Sequence, residues 1–218
     1  ENNMIFKGAI FDLDGTLLDS MHVWAKIDRD FLGKRGISVP KDYLSQVAAM
    51  SLRETADYTV ARFSLQEKPE MVIKEWKAMA LWEYGHRISL KAHAREYLLT
   101  LAQHGIKLAV ATGLCKELYS AVLHNTGILP LFDAVCSVDD VGRGKQFPDI
   151  YLYAAKCLSL SPKDCIVFED VPEAIATAKR AGLKVYGIHD KFGEPYRTEI
   201  EIISDGYCLD FRDAPLPD

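Results

Sequence analysis

The sequence predicts an α/β fold: a mostly parallel sheet covered by helices on both faces and interrupted by one inserted all-helical unit. Three observations predict it. Five short apolar runs each stop at a polar or glycine-bearing turn, amphipathic helical patterns separate the later runs, and residues 20–90 keep helical periodicity with no such run. With 218 residues and 49% hydrophobic content the chain has enough apolar mass for a core domain plus a smaller insert.

Taken in order, Ile5 to Phe11 reads as a buried strand that stops at Asp12-Leu13-Asp14-Gly15. Four consecutive helical stretches follow, Met21 to Lys34, Lys41 to Ala49, Leu52 to Phe63 and Pro69 to His86, and form an inserted helical cap. The domains are therefore expected to be 1–19 with 91–218 for the core and 20–90 for the cap. Trp24, Trp76 and Trp82 all fall in the cap and are expected to fill its small core. Strand and helix then alternate. The runs Ile106 to Ala111, Ala134 to Val138, Cys165 to Phe168 and Leu183 to Ile188 are interleaved with helices over 92–104, 116–126, 148–158 and 173–181. Gly105, Gly127 and Gly182 stand where helices end. The result is a Rossmann-like arrangement, with the tail from Asp213 to Asp218 expected to be loose.

The net charge of −5 and the lack of a polybasic run argue against nucleic acid or an anionic membrane as partner. Cys115, Cys136, Cys157, Cys165 and Cys208 are scattered without CxxC pairs and read as reduced thiols. No stretch approaches the roughly 18 apolar residues of a membrane helix, and no basic-then-apolar leader opens the chain. A cytoplasmic protein is the expectation, and oligomeric state has no signature.

In an open parallel sheet, ligands bind beyond the carboxyl ends of the strands, so residues just after each run carry the functional signal. Asp12 and Asp14, two apart, would repel unless something positive lies between them, and Mg²⁺ commonly uses one or two carboxylates with phosphate and water. An Asp-Gly turn with solvated aspartates has the same letters, but the apolar strand ahead favours a site. Thr112-Gly113 offers a hydroxyl and an unhindered N–H after the second run. Lys145 follows Gly142 and Gly144 and precedes Pro148-Asp149. Glu169-Asp170 closes the fourth run, where an acidic pair is costly to bury without a cation, though Asp170 as a helix cap with Glu169 in solvent is the plain alternative.

The order Asp12-Leu13-Asp14-Gly15-Thr16, Thr112, Gly144-Lys145 with Pro148-Asp149, then Glu169-Asp170 resembles the haloacid dehalogenase-like hydrolase superfamily, within it the phosphatases and mutases related to β-phosphoglucomutase. The resemblance runs from Ile5 to about Phe211, and the cap takes that family's insertion point. It implies Asp12 as nucleophile and Asp14 as general acid and base. It also implies Thr112, Gly113 and Lys145 as phosphate-binding groups, and Mg²⁺ held by Asp12, Asp14 through its carbonyl, and Asp170, with Glu169 helping directly or through water. Arg53, Lys116 and Trp24 are further candidates for substrate contact.

The departures fall mainly on the mutase reading. Val171-Pro172-Glu173-Ala174 replaces the usual Ser-x-x-Gly, and Gln146 stands where a proline is common. Trp24 occupies the place of the mutases' cap histidine with His22 two residues earlier, and Leu52 that of a phosphate-gripping arginine, Arg53 falling one position late. Asp14 argues against dehalogenation, whose enzymes lack it. The expectation is a Mg²⁺-dependent phosphatase of a small phosphorylated metabolite, a sugar phosphate or nucleotide, with a β-phosphoglucomutase-type phosphomutase as the alternative.

Overall fold

The computed structural model describes residues 6–47, 50 and 52–217, the side chain of Ser45 excepted. The sequence expectations at Ile5, at 48–49, at Ser51 and at Asp218 lie outside the described residues. In chain order the elements are β1 (Gly8–Phe11), β2 (Leu18–Asp19), α1 (His22–Gly33), α2 (Tyr43–Val47), α3 (Leu52–Phe63), α4 (Pro69–His86), β3 (Ser89–Leu90), α5 (Ala94–Gln103) and β4 (Lys107–Thr112). There follow α6 (Lys116–Asn125), β5 (Ala134–Ser137), α7 (Val138–Val141), α8 (Asp149–Cys157), β6 (Cys165–Glu169), α9 (Pro172–Arg180), β7 (Lys184–Ile188), α10 (Arg197–Ile203) and β8 (Gly206–Cys208). Chain contacts divide these into two compact units, Glu1–Ser20 with Ile88–Asp218, and Met21–Arg87.

The first unit is built on a six-stranded sheet of order β5-β4-β1-β6-β7-β8, with every neighbouring pair parallel. β1 and β6 are buried along their whole length, which is why both read as continuous apolar runs. Alternate residues serve opposite faces. Ile10 and Val167 join a cluster with Ile150, Tyr151 and Ala154 of α8 and Ile175 of α9. Phe11 and Phe168 turn the other way and stack at 4.9 Å and 6°, with Tyr97 and Phe211 edge-on or tilted against them. Gly105, Gly127 and Gly182 take φ of 73°, 66° and 87°, the left-handed stops the helices need.

Some elements escaped the sequence reading. β8 is three residues and α7 four, too short for any periodicity to register. The tail is not loose up to residue 217: Ala214 is buried, and the Tyr97 hydroxyl donates to the Pro215 carbonyl at 2.7 Å in buried surroundings. Proline and alanine gave no apolar signal there, yet they close the edge of the aromatic cluster.

The second unit packs α1 and α3 against α4. Trp76 is buried and meets Phe31 edge-on at 5.4 Å, as a core tryptophan should. Trp82 does not fill the core: it is 47% exposed, lies against His86 and is covered by the Arg87 guanidinium. Six residues along a helix turn through about 600°, so Trp82 lies some 240° around α4 from Trp76. Trp24 is half-buried.

Because Phe168 is completely buried and touches Phe11, Tyr97, Tyr186 and Phe211, Phe168→Ala should destabilise the protein by about 3–5 kcal/mol. Urea unfolding followed by circular dichroism measures it.

Candidate active site

β1 leads to β4 and β5 on one side, after which the chain crosses back to β6, β7 and β8 on the other. The strand order therefore reverses between β1 and β6, and a crevice opens at their carboxyl ends. Phe11 pairs with Phe168, and the Asp12 N–H donates to the Phe168 carbonyl at 3.1 Å, so the residues ending the two strands meet there. Asp12, Glu169 and Asp170 are all buried, and one carboxylate oxygen from each lies within 4.8 Å of the others.

Lys145 enters from the loop after α7. Ser137 and Asp140 close a capping box on that short helix, and Gly142 ends it at φ 68°. The Lys145 Nζ reaches Asp12 Oδ1 and Glu169 Oε1, both at 2.6 Å. The Tyr151 hydroxyl donates to the same Glu169 oxygen at 2.7 Å, and the Asp170 N–H donates to the other at 3.3 Å. Glu169, completely buried, is thus neither a solvent-facing residue nor next to a capped helix: α9 starts at Pro172, with no side-chain cap. Thr16 Oγ1 donates to Asp170 Oδ1 at 3.2 Å.

Three carboxylates around one ammonium leave excess negative charge in a buried place. Burial and the nearby Asp12 push the Glu169 carboxyl up to about 7, against the pull of Lys145. Asp170 is raised well above the carboxylate range by burial, then by Asp12 and Glu169. Burial works against the Lys145 ammonium, but Asp12 and Glu169 outweigh it and hold it protonated. The Tyr151 phenol is raised by burial and by the charge of Glu169, so it stays a donor.

β1 ends at Phe11, Asp14 lies in the turn that follows, and Gly15 takes φ 76° there. The Asp14 carboxylate is not part of the cluster of three; Asp14 Oδ1 accepts the Ser20 hydroxyl at 2.5 Å. Thr112, the last residue of β4, is buried, and its hydroxyl accepts the Leu114 N–H at 3.1 Å. Gly113 is exposed, and the exposed Lys116 opens α6. Arg53 lies on the surface of the second unit, held by Asp57 at 3.2 Å and Glu70 at 2.7 Å. Tyr151, Thr16 and Ser20 were not given roles from the sequence. Thr16 alone had a signal, as the residue completing Asp12-Leu13-Asp14-Gly15-Thr16.

A fold whose strand order reverses above a buried acidic cluster with one lysine defines a hydrolase class, and the family follows: the chain belongs to the haloacid dehalogenase-like hydrolases, whose family model matches residues 9–188. Its relatives include named phosphatases. It is 32% identical to validoxylamine A 7′-phosphate phosphatase of Streptomyces hygroscopicus subsp. limoneus over 84% of this chain and 86% of that protein. It is 29% identical to the fructose-1-phosphate phosphatase of Escherichia coli (strain K12) over 82% and 94%. The fold is similar to that of β-phosphoglucomutase from Clostridium difficile, with a TM-score of 0.71, 20% identity and coverage of 96% and 93%. Among the described residues no helix is long and apolar enough to cross a membrane.

Tyr151→Phe removes a hydrogen bond to a buried charged group. It should lower stability by about 1.5–3 kcal/mol, read as a fall in Tm against the wild type.

Proposed function

We propose that this protein is a Mg²⁺-dependent phosphatase that removes phosphate from a small phosphorylated sugar or similar metabolite through an aspartyl phosphate on Asp12. The observation that carries the reading is the buried Asp12 carboxylate, held by Lys145 beside Glu169 and Asp170 where the strand order reverses. The named substrates of the relatives, a 7′-phosphate of a sugar-like amine and fructose 1-phosphate, support the substrate class.

In this reading Asp12 attacks phosphorus, splitting one hard displacement into two. Lys145, 2.6 Å from Asp12 Oδ1, orients that carboxylate and would face an equatorial phosphate oxygen. Asp14 gives a proton to the leaving oxygen and later takes one from water, its carboxyl steadied by Ser20. The Thr112 hydroxyl accepts the Leu114 N–H and keeps its own proton to donate, so with the exposed Gly113 N–H it is proposed to bind phosphate.

An all-carboxylate donor set with surplus negative charge suits a hard divalent cation. Asp12 and Asp170 would hold Mg²⁺, with the Asp14 carbonyl. Glu169, whose oxygens are engaged by Lys145, Tyr151 and the Asp170 N–H, supports the set from behind. When bound, the ion supplies charge compensation for the incoming phosphate. Lys116, Arg53 and Trp24 stay candidates for recognising the rest of the substrate. Trp24 stands where a mutase carries histidine, and its indole N–H does not serve as an acid or base near neutral pH, which favours release of phosphate to water over its return to sugar.

A panel of sugar and nucleotide monophosphates should release phosphate with Mg²⁺ and not with chelator, and Asp12→Asn should lose at least about 10³-fold, since an amide cannot attack phosphorus. More than a few per cent residual activity would exclude Asp12 as nucleophile. Supplying a hexose 1-phosphate with a trace of its bisphosphate tests the alternative, because isomerisation faster than phosphate release would make the protein a mutase.

Metal linkage gives a second outcome. Without metal, folded Glu169 retains a proton that the unfolded chain releases above 4.5, so this group's contribution to stability falls as pH rises from there through about 7. Mg²⁺ binds the deprotonated carboxylates, so the Tm gain on adding it should be larger at pH 8 than at pH 5.5. A gain that shrinks with pH would count against these ligands.

A further inference from the structure

Lys91 is a second enclosed cation in the first unit, and the reaction steps above make no use of it. It follows β3, whose Leu90 pairs with Leu18, and its N–H donates to the Leu17 carbonyl at 2.8 Å. The side chain is 14% exposed. Its Nζ donates to the Gly15 carbonyl in a short contact, to the His189 carbonyl at 2.6 Å, and to Asp190 Oδ2 at 2.7 Å. An ammonium has three protons, and all three are placed. Burying such a group is costly, and an apolar side chain would fill the space at less cost, so the convergence of acceptors calls for an explanation.

The acceptors lie on two turns. Gly15 directly follows Asp14 in a turn closed by Gly15 N–H to Leu18 carbonyl, Thr16 N–H to Leu13 carbonyl and Leu18 N–H to Leu13 carbonyl. Asp190 organises the other: its Oδ1 accepts the Phe192 N–H at 2.8 Å and its carbonyl the Gly193 N–H at 3.0 Å. That turn packs on Asp170, since a Cβ added at Gly193 would lie 3.7 Å from the Asp170 carbonyl oxygen. Lys91 also lies near enough to Asp170 to favour its ionised form.

We propose that Lys91 is a positioning residue for proton transfer: by gripping the Gly15 carbonyl it sets where the Asp14 carboxyl stands, and through Asp190 it joins that turn to the one packed on Asp170. This deepens the proposed function and depends on Asp14 being the acid and base there. A lost grip lets Asp14 wander, which slows formation of the aspartyl phosphate when the leaving oxygen needs a proton and little when it does not, whereas the later attack of water is the same for every substrate.

The test uses the full chain with Lys91→Met, which keeps length and loses the donors, and Lys91→Arg. Hydrogen–deuterium exchange is followed in peptides covering 13–20 and 188–194, and kcat and KM are measured on glycerol phosphate and 4-nitrophenyl phosphate, with Asp14→Asn alongside. Lys91→Met should speed exchange in both peptides and lose about tenfold or more in kcat/KM, which reports formation of the aspartyl phosphate, on glycerol phosphate beyond its loss on the aryl ester, a part of the ~10²–10⁴ that acid–base catalysis supplies. Lys91→Arg should recover part of that selectivity. Unchanged exchange in 13–20, or equal losses of kcat/KM on both substrates, overturns the proposal. Equal losses in Asp14→Asn itself would instead remove the acid role from Asp14, and exchange alone would then decide whether Lys91 holds the turn. Should Lys91→Met not fold, Asp190→Asn replaces it: the same changes at smaller size support the clamp, and none refutes it.

Discussion

The ion pair of Lys145 with Asp12 and Glu169 is the interaction on which the carboxyl edge of the sheet depends. The parallel pairing of β1 with β6 forces carboxylates from two strands into one buried place, where their repulsion would oppose folding. A single ammonium at 2.6 Å from both makes the arrangement tolerable without making it neutral. Removing one partner of such a buried pair typically costs about 3–5 kcal/mol, because the other charge is left uncompensated. The site is therefore built short of positive charge, which is why a cation is proposed there.

Around that pair the fold supplies rigidity in layers. The Phe11–Phe168 stack fixes the register of β1 and β6 on one face, and the α8–α9 cluster fixes it on the other. α8 serves both ends of the problem, since Tyr151 is part of the buried cluster and its hydroxyl also holds Glu169. Packing and electrostatics here are one structure, so a lesion in either reaches the carboxylates.

The turn after β1 is held both by the buried side chains of Leu13, Leu17 and Leu18 and by hydrogen bonds. Gly15 adopts a left-handed φ, Ser20 reaches back to Asp14, and Lys91 draws the Gly15 carbonyl toward Asp190. These polar contacts fix the backbone on either side of Asp14, the residue proposed above as acid and base.

How much was legible in advance follows from the range of the interactions. The five apolar runs and the Asp12-Leu13-Asp14-Gly15 turn are local, and burial on both faces of a parallel sheet writes itself into consecutive residues, so the sequence by itself determined the α/β class, the family and the strand-end residues. Tyr151 reaching Glu169 across 18 residues, Thr16 reaching Asp170 across 154 and Lys91 reaching Gly15 across 76 leave no mark on their neighbours in the chain. The same holds for Trp82, whose exposure depends on how α4 is rotated in its bundle, and for the tail, which docks by a hydroxyl to a carbonyl. Only the tertiary structure decided these, because a hydrogen bond or ion pair between distant residues is specified by where the backbone brings them and not by the residue types alone.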